Sequence, residues 1–403
     1  MSKGVFSGVR ILDVCRLAAG PYCAKLLADM GAEVTKVEPP EGDPARRYGA
    51  FAGDKPGMER SALFLYCNTN KMGVTLNLRT ATGRRLLHEL AKQADVLVED
   101  APPQEETALG LDYGALRAAN PKLIVTSITP FGKTGPHATW KAYPLNVYHG
   151  GGEGFLLPGE PTFSMFPDRE PLKAGGFVGE YDSGIYGASA TAAALYERTA
   201  SDQGQHIDVS GQEVQLQLNR MSFIRLTAEN THLTRAGRGY EFGGIFKAKN
   251  GYVIVRPTED NHFESLLQVV DDPALKDERF KARAGRLKYG PELNKILARW
   301  LAGQDKEDFY LKIGGSGCPA GYFANAEDLV KSKQLIHRNF FTEIDHPEAG
   351  RFLYPTVPYK MPASPARYDR PAPLLGQHNA TVYCDRLGLS RAELVQLRQT
   401  GII

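Results

Sequence analysis

"VRILDVCRLAAGPYCAKLLADMGAEVTKVE", residues 9–38, decides the fold. Its first six residues form a short apolar run that reads as a buried strand. In "GPYCAKLLADMG" (20–31) Pro21 sits in the first turn and a glycine closes the segment, the two signals that open and end a helix. "AEVTKVE" (32–38) reads as a second strand. Strand, helix and strand in this succession make a βαβ unit, whose strands must run parallel.

The pattern repeats downstream. "ATGRRLLHELAKQA" (81–94) has apolar residues at helical spacing and leads into the strand "DVLVED" (95–100). The helix-like "YGALRAAN" (113–120) precedes "LIVTSIT" (123–129), and "HIDVS" (206–210) reads as one more strand before another helix. This alternation predicts an α/β fold with a parallel sheet covered by helices on both faces.

At 403 residues the chain exceeds the roughly 250–300 at which one core stops growing, so two domains are expected. The texture changes where Gly237, Gly239, Gly243 and Gly244 interrupt the chain and "FKAKNGYVIVRP" (246–257) reads as a hairpin turning at Asn250–Gly251. The expected division is a large domain over 1–225, a small domain over 226–330 and a return to the large domain over 331–403. The last helix opens on a capping-box pattern, Ser390 with Glu393.

A formal charge of +2 with 42% hydrophobic and 23% charged residues gives no footprint for nucleic acid or an anionic membrane. Five cysteines without ligand spacing fit reduced thiols, and no apolar run of about 18 residues occurs. A cytoplasmic location is expected. The nine histidines include no HExxH, so no metal site is expected; Cys318 in "GGSGCPAG" has no nucleophile signature.

The turn "CRLAAGPYC" (15–23) lies where a dinucleotide fold places its phosphate loop but lacks GxGxxG, which argues against a nicotinamide cofactor. Its helix N-terminus at Ala18–Pro21 suits either a phosphate-bearing ligand or mere punctuation. Lys36, Arg46, Arg47, Lys71 and Arg79 fall near predicted strand ends and form a candidate polyphosphate set if they converge.

"GGFVGEYDSG" (175–184) places two carboxylates, Glu180 and Asp182, in a glycine-rich stretch ahead of "GIYGASATAAALYER". With the helix starting near Gly184, Asp182 is expected to cap it. Glu180 is expected in extended chain, where the lack of bulk admits a reactant to a carboxylate nucleophile.

Several segments together resemble the family III CoA-transferases, which include formyl-CoA transferase, carnitine CoA-transferase and α-methylacyl-CoA racemase. They are residues 9–46, "NKMGVTLNLRTATGRRLLHELAKQADVLVED" (70–100), "NPKLIVTSITPFGKTGP" (120–136), "TAAALYERTASDQGQHIDVS" (191–210), "GCPAGYFANAEDL" (317–329) and "PAPLLGQH" (371–378). The resemblance implies a Rossmann-like large domain built from both chain ends, a smaller inserted α+β domain, and an interlocked dimer.

It also implies CoA contacts at Ala18, Ala19, Leu76, Arg79, Lys141 and Tyr143, with no cofactor apart from the CoA thioester that is the substrate. Thr107 replaces a phosphate-pairing arginine of the family and Pro39 a basic residue, leaving Arg46, Arg47 or Arg79 to supply charge. Glu180 falls on the family's catalytic aspartate.

Two readings follow: a CoA-transferase working through a glutamyl-CoA thioester, with succinyl-CoA as a candidate donor, or a weakly active or non-catalytic subunit paired with an Asp-bearing paralogue. The partners are thus an acyl-CoA, a carboxylic acid, and a second subunit, identical or paralogous. The racemase branch is disfavoured, since Tyr143 stands at its histidine position and neither His137 nor His149 matches. "NVYHGGGEGFLLPGE" (146–160) offers Tyr148 and Glu153 as substrate contacts or is a surface turn.

Overall fold

Six segments become one parallel sheet: β1 (Arg10–Asp13), β2 (Glu33–Glu38), β3 (Lys71–Thr75), β4 (Val96–Glu99), β5 (Ile124–Thr129) and β6 (His206–Ser210). Their order is β3-β2-β1-β4-β5-β6, and every neighbouring pair is parallel. β3, β4 and β5 are buried at every position, as expected of strands covered on both faces. Between β1 and β4 the order reverses, so a crevice opens at the carboxyl ends of these strands. The computed structural model that shows this describes residues 4–160, 162–237 and 240–403; Gly239 lies outside them.

The helices arise where the sequence places caps and apolar stripes. Thr80 accepts the Gly83 N–H and opens the helix Ala81–Lys92, whose Leu86, Leu87 and Leu90 pack with Val74 and Leu97. On the other face of the sheet the helix Ala19–Asp29 buries Ala24 and Leu27 against Ile11, Val34 and Ile128.

The helix Val178–Ser201 corrects one expectation: it begins at Val178, not near Gly184, so Glu180 lies in its first turn and not in extended chain. Glycine in a helix costs up to about 1 kcal/mol against alanine, so local propensity did not announce this turn. Packing decides it. A Cβ on Gly184 would stand 2.7 Å from the Ala19 carbonyl oxygen, and one on Gly187 would stand 2.6 Å from the Ile128 Cδ1. The small residues let the helix lie directly on the helix Ala19–Asp29 and on β5.

The chain divides into two compact units, 1–154 with 173–223 and 337–403, and 155–172 with 224–336. The expected small domain, 226–330, falls within the second unit, which also takes 155–172. That unit holds the antiparallel strands β7 (Gly244–Ala248), β8 (Gly251–Val255) and β9 (Ala320–Tyr322); the hairpin is there as expected, but it turns one residue earlier, at Lys249–Asn250, because Gly251 already pairs with Ala248. Its core includes Val253, Leu266, Phe280 and Leu297.

In the first unit the C-terminal residues close over β3. Tyr383 donates its hydroxyl to the Thr75 carbonyl at 2.8 Å, and Asn379 Oδ1 accepts the Thr75 N–H at 2.9 Å. A hairpin of β10 (Phe341–His346) and β11 (Gly350–Pro355) precedes them. The Ser390–Glu393 capping box forms as expected. Among the described residues no helix is long and apolar enough to cross a membrane.

Candidate active site

A cavity of about 170 Å³ opens at the carboxyl ends of β1 to β4, lined among others by Cys15, Arg16, Leu76, Arg79 and Asp100. Asp43, which also lines it, belongs to a buried charge network. Lys71 Nζ meets Asp13 Oδ2 at 2.8 Å, Lys36 Nζ meets Asp43 Oδ2 at 2.8 Å, and all four side chains are buried. Burial alone would push the Asp13 carboxyl up, but Lys36 and Lys71 hold it below its usual range.

This network fixes the loop after β1. Asp13 accepts the Cys15 N–H at 3.1 Å, Asp43 accepts the Leu17 N–H at 3.1 Å, and Lys36 donates to the Cys15 carbonyl. Leu17 is held at φ +61°, a conformation that a non-glycine residue adopts only under such constraint. Asp100 lies at the rim, its carboxyl raised to about 6 by burial even though Arg16 opposes the shift.

The polyphosphate set does not converge. Lys36 and Lys71 are spent on the network, and Arg46 is buried in a bidentate pair with Glu38, at 2.7 and 2.8 Å, with its guanidinium 3.7 Å from the Phe64 ring centroid. Arg46 therefore has no donor to spare for CoA, contrary to the sequence reading. Arg47 and Arg79 remain exposed; among the described residues the Arg79 guanidinium is held only by Glu105, at 3.7 Å.

Of the residues that the resemblance implies as CoA contacts, Leu76 and Arg79 line this cavity. Ala18 is buried and Ala19 half-buried, at the start of a helix whose cap residue offers no side-chain acceptor. Its first amides stay open to an anion. Lys141 and Tyr143 are exposed, Tyr143 at the N-cap position of the helix Pro144–Gly150, and neither lines the cavity. Tyr148 is buried beneath the Lys173 ammonium, 5.5 Å from its ring centroid, and Glu153 is half-buried.

Glu180 is the third residue of the helix Val178–Ser201. Residues 177, 180, 181 and 184 share one face, by helical spacing. Phe177 stacks edge-on against Tyr48 at 5.0 Å and Tyr181 against Tyr22 at 4.8 Å, while Gly184 meets Ala19. Glu180 thus stands one turn, about 6 Å of helix rise, from Gly184, the residue that meets the start of the helix Ala19–Asp29. Aromatic rings flank it.

Burial pushes the Glu180 carboxyl above its usual range, against the pull of its own backbone N–H and of Lys173, and Asp182 adds a small push upward. Its Oε2 is buried with no hydrogen-bond partner among the described residues. Lys173 Nζ is occupied by the Ala174 and Gly176 carbonyls at 3.1 and 2.7 Å. Asp182 does not cap: it stands in the second turn, 3.5 Å from Gln215 Nε2. The helix start lies upstream of it, so the first-turn acid is Glu180.

The flanking aromatics and Lys173 escaped sequence reasoning, for they come from separate segments with no shared motif. Among the described residues no cluster of three or more His, Cys, Asp or Glu is placed to hold a metal ion. In the second unit a separate cleft of about 1130 Å³ is lined in part by Gly243, Gly244, Arg256 and Lys295.

The sequence profile of CoA-transferase family III matches residues 6–379. The succinate–glutarate CoA-transferase of Agrobacterium fabrum is 32% identical over 391 residues, covering 95% of this chain and 96% of that one. The formyl-CoA:oxalate CoA-transferase of Streptomyces avermitilis is 30% identical over 427 aligned positions and covers both chains fully. A CAIB/BAIF family protein from Brucella suis, of known crystal structure, superposes with a TM-score of 0.83 at 28% identity over 98% of this chain and 100% of its own. With a parallel sheet of this order and a match along nearly its whole length, the chain belongs to CoA-transferase family III.

Proposed function

We propose that the protein moves CoA from an acyl-CoA to a free carboxylic acid by a ping-pong route through Glu180. Glu180 attacks the thioester carbonyl, the C–S bond breaks, and the CoA thiolate leaves a mixed anhydride. The thiolate then attacks the Glu180 carbonyl, the donor acid departs with the anhydride oxygen, and a glutamyl-CoA thioester remains. The acceptor carboxylate attacks that thioester, forming a second anhydride and freeing thiolate. Thiolate attack on the acceptor's carbonyl yields the new acyl-CoA and restores Glu180. Atoms balance without water, metal or any further cofactor.

One observation carries the reading: a half-buried carboxylate with an unbonded oxygen and, among the described residues, no ion pair to blunt it, on the helix face that meets Ala19. The helix N-terminus offers N–H groups to the oxyanions. The two similar transferases named above, from Agrobacterium fabrum and Streptomyces avermitilis, and the succinyl-CoA–D-citramalate CoA-transferase of Chloroflexus aurantiacus act by name on short acids, most of them dicarboxylic. We take succinyl-CoA as donor and a dicarboxylic acid as acceptor. Assembly as an interlocked dimer belongs to the same proposal.

The test is mass spectrometry of the purified protein after succinyl-CoA, quenched with hydroxylamine. A hydroxamate on Glu180, absent from Glu180→Gln, supports the route. An unmodified Glu180 in an assembled, transferring enzyme overturns it. Turnover that survives Glu180→Gln and tracks a copurifying Asp-bearing subunit would instead assign the non-catalytic role.

A further inference from the structure

A second concave site lies at the other end of the sheet, over the amino-terminal ends of β2 and β3. It is a cavity of about 280 Å³ whose lining includes Arg367, Arg370 and Arg386. None of them belongs to the site described above.

These arginines lie within one C-terminal stretch, and a buried clamp built from residues far away in the sequence, Asp29 and Asn70, sets the positions of the first two. Lys25 and Asp29 form a buried ion pair at 2.6 Å. Asn70 donates to Asp29 Oδ1 at 2.6 Å and to the Arg367 carbonyl at 2.8 Å, while its Oδ1 accepts the N–H groups of Asp369 and Arg370 at 3.0 and 3.2 Å. The Arg367 N–H donates to the Asp29 carbonyl at 2.8 Å. Segment 367–370 is therefore fixed at its backbone, and its two arginine side chains are left over.

Neither of these guanidinium groups has a hydrogen-bond or ion-pair partner among the described residues. Arg386 is half satisfied: Nη1 meets Glu33 Oε1 at 2.6 Å, but Nη2 has only the Met72 thioether at 3.3 Å, a weak acceptor. Glu33 is shared with Arg10 at 3.9 Å. With Asp369 also in the lining, three arginines face two carboxylates, and the cavity is positive. His378 senses that field, for burial and then the charges of Arg370 and Arg386 push its imidazole below the usual range.

We propose that this cavity binds a phosphate-bearing anion between the free guanidinium groups of Arg367 and Arg370, with Arg386 Nη2 as a third donor. Planar guanidinium forks match phosphate oxygens in pairs, and pre-fixed backbones lower the ordering cost. The site stands apart from the CoA cavity, so both can fill at once.

Isothermal titration of the whole protein with sodium pyrophosphate, at saturating CoA and low chloride, tests this. We expect saturable binding at one site per chain, weakened roughly tenfold or more in the Arg367→Ala/Arg370→Ala double variant, as for lost charge-assisted hydrogen bonds. Arg370→Ala alone, at an exposed position, should weaken it about threefold with an unchanged melting curve. Lysine at both positions keeps the charge but loses the forks, and should fall between. ATP binding tighter than pyrophosphate assigns a nucleotide; equal binding assigns free phosphate. Binding that vanishes once CoA saturates, or that Arg370→Ala and the lysine pair leave unchanged, overturns the proposal.

Discussion

Replacing Gly184 with alanine should harm both stability and rate, and the two losses can be anticipated from one contact. The new methyl carbon would lie 2.7 Å from the Ala19 carbonyl oxygen and 3.2 Å from the Cys23 nitrogen. Ordinary contact begins near 3.4 Å, so the two helices must separate by about 0.7 Å (3.4 − 2.7). The Tyr22 ring, at 3.1 Å, could turn, but the Ala19 oxygen and the Cys23 nitrogen are backbone and cannot rotate aside. Overpacking of this kind costs about 1–3 kcal/mol, while the exchange gains up to about 1 kcal/mol of helix propensity. A net loss of up to about 2 kcal/mol remains.

The melting midpoint should fall by several degrees, taking roughly 2–4 °C per kcal/mol for a unit of this size. Glu180 lies one turn away on the same helix face, so its carboxyl moves with the helix. A displacement near 1 Å costs on the order of 100-fold in rate. Circular dichroism melts and a chromatographic assay of acyl-CoA exchange read the two effects. Gly187→Ala is the internal comparison, since its methyl meets the Ile128 Cδ1, the movable end of a side chain. It should cost less on both counts. Equal behaviour of the two variants, or an unchanged rate in Gly184→Ala, would refute the claim that this contact sets the carboxylate's position.

Arg46→Met should destabilise the first unit by about 3–5 kcal/mol, because it strands the buried Glu38, and a chemical melt measures this. Arg79→Ala should leave stability within about 0.5 kcal/mol yet raise KM for acyl-CoA several-fold in steady-state kinetics. Lys173→Met should move the acidic limb of the rate profile to higher pH. Glu180 is already raised by burial, Lys173 opposes that rise, and only the ionised carboxyl attacks. Lys173→Arg should keep the original limb. The other ionisable neighbours, Asp182 and the phenols of Tyr22, Tyr66 and Tyr181, are unchanged in either variant.

The parallel sheet was legible because each strand is a short apolar run and each helix between them carries a cap or a stripe; Thr80 and the Val96–Glu99 run needed no tertiary knowledge. The start of the helix Val178–Ser201 was not legible. Glycines that read as loop locally are there for contact with another helix, and that contact is invisible until the chain has folded. The cations fared likewise. Lys71 and Asp13 are 58 residues apart and Arg46 reaches the Pro373 carbonyl across 327, so nothing in the sequence marks them as already paired. Their type suggested phosphate; their burial assigns them to the scaffold.

Glu180→Asp addresses whether the longer acid is a handicap or a fit. The side chain leaves the third residue of a helix that the Gly184 contact fixes, so its backbone cannot advance to make up a lost methylene. Aspartate would withdraw the carboxyl by about one C–C bond, 1.5 Å. If the backbone is set for glutamate, the variant should lose roughly 100-fold or more in kcat, with little change in KM for acyl-CoA because the Arg79 cavity is untouched. If instead the backbone is set for the family's aspartate, the variant should transfer faster than the parent. That gain, seen with hydroxylamine trapping on residue 180, would mark the native glutamate as the feature that makes this subunit dependent on another.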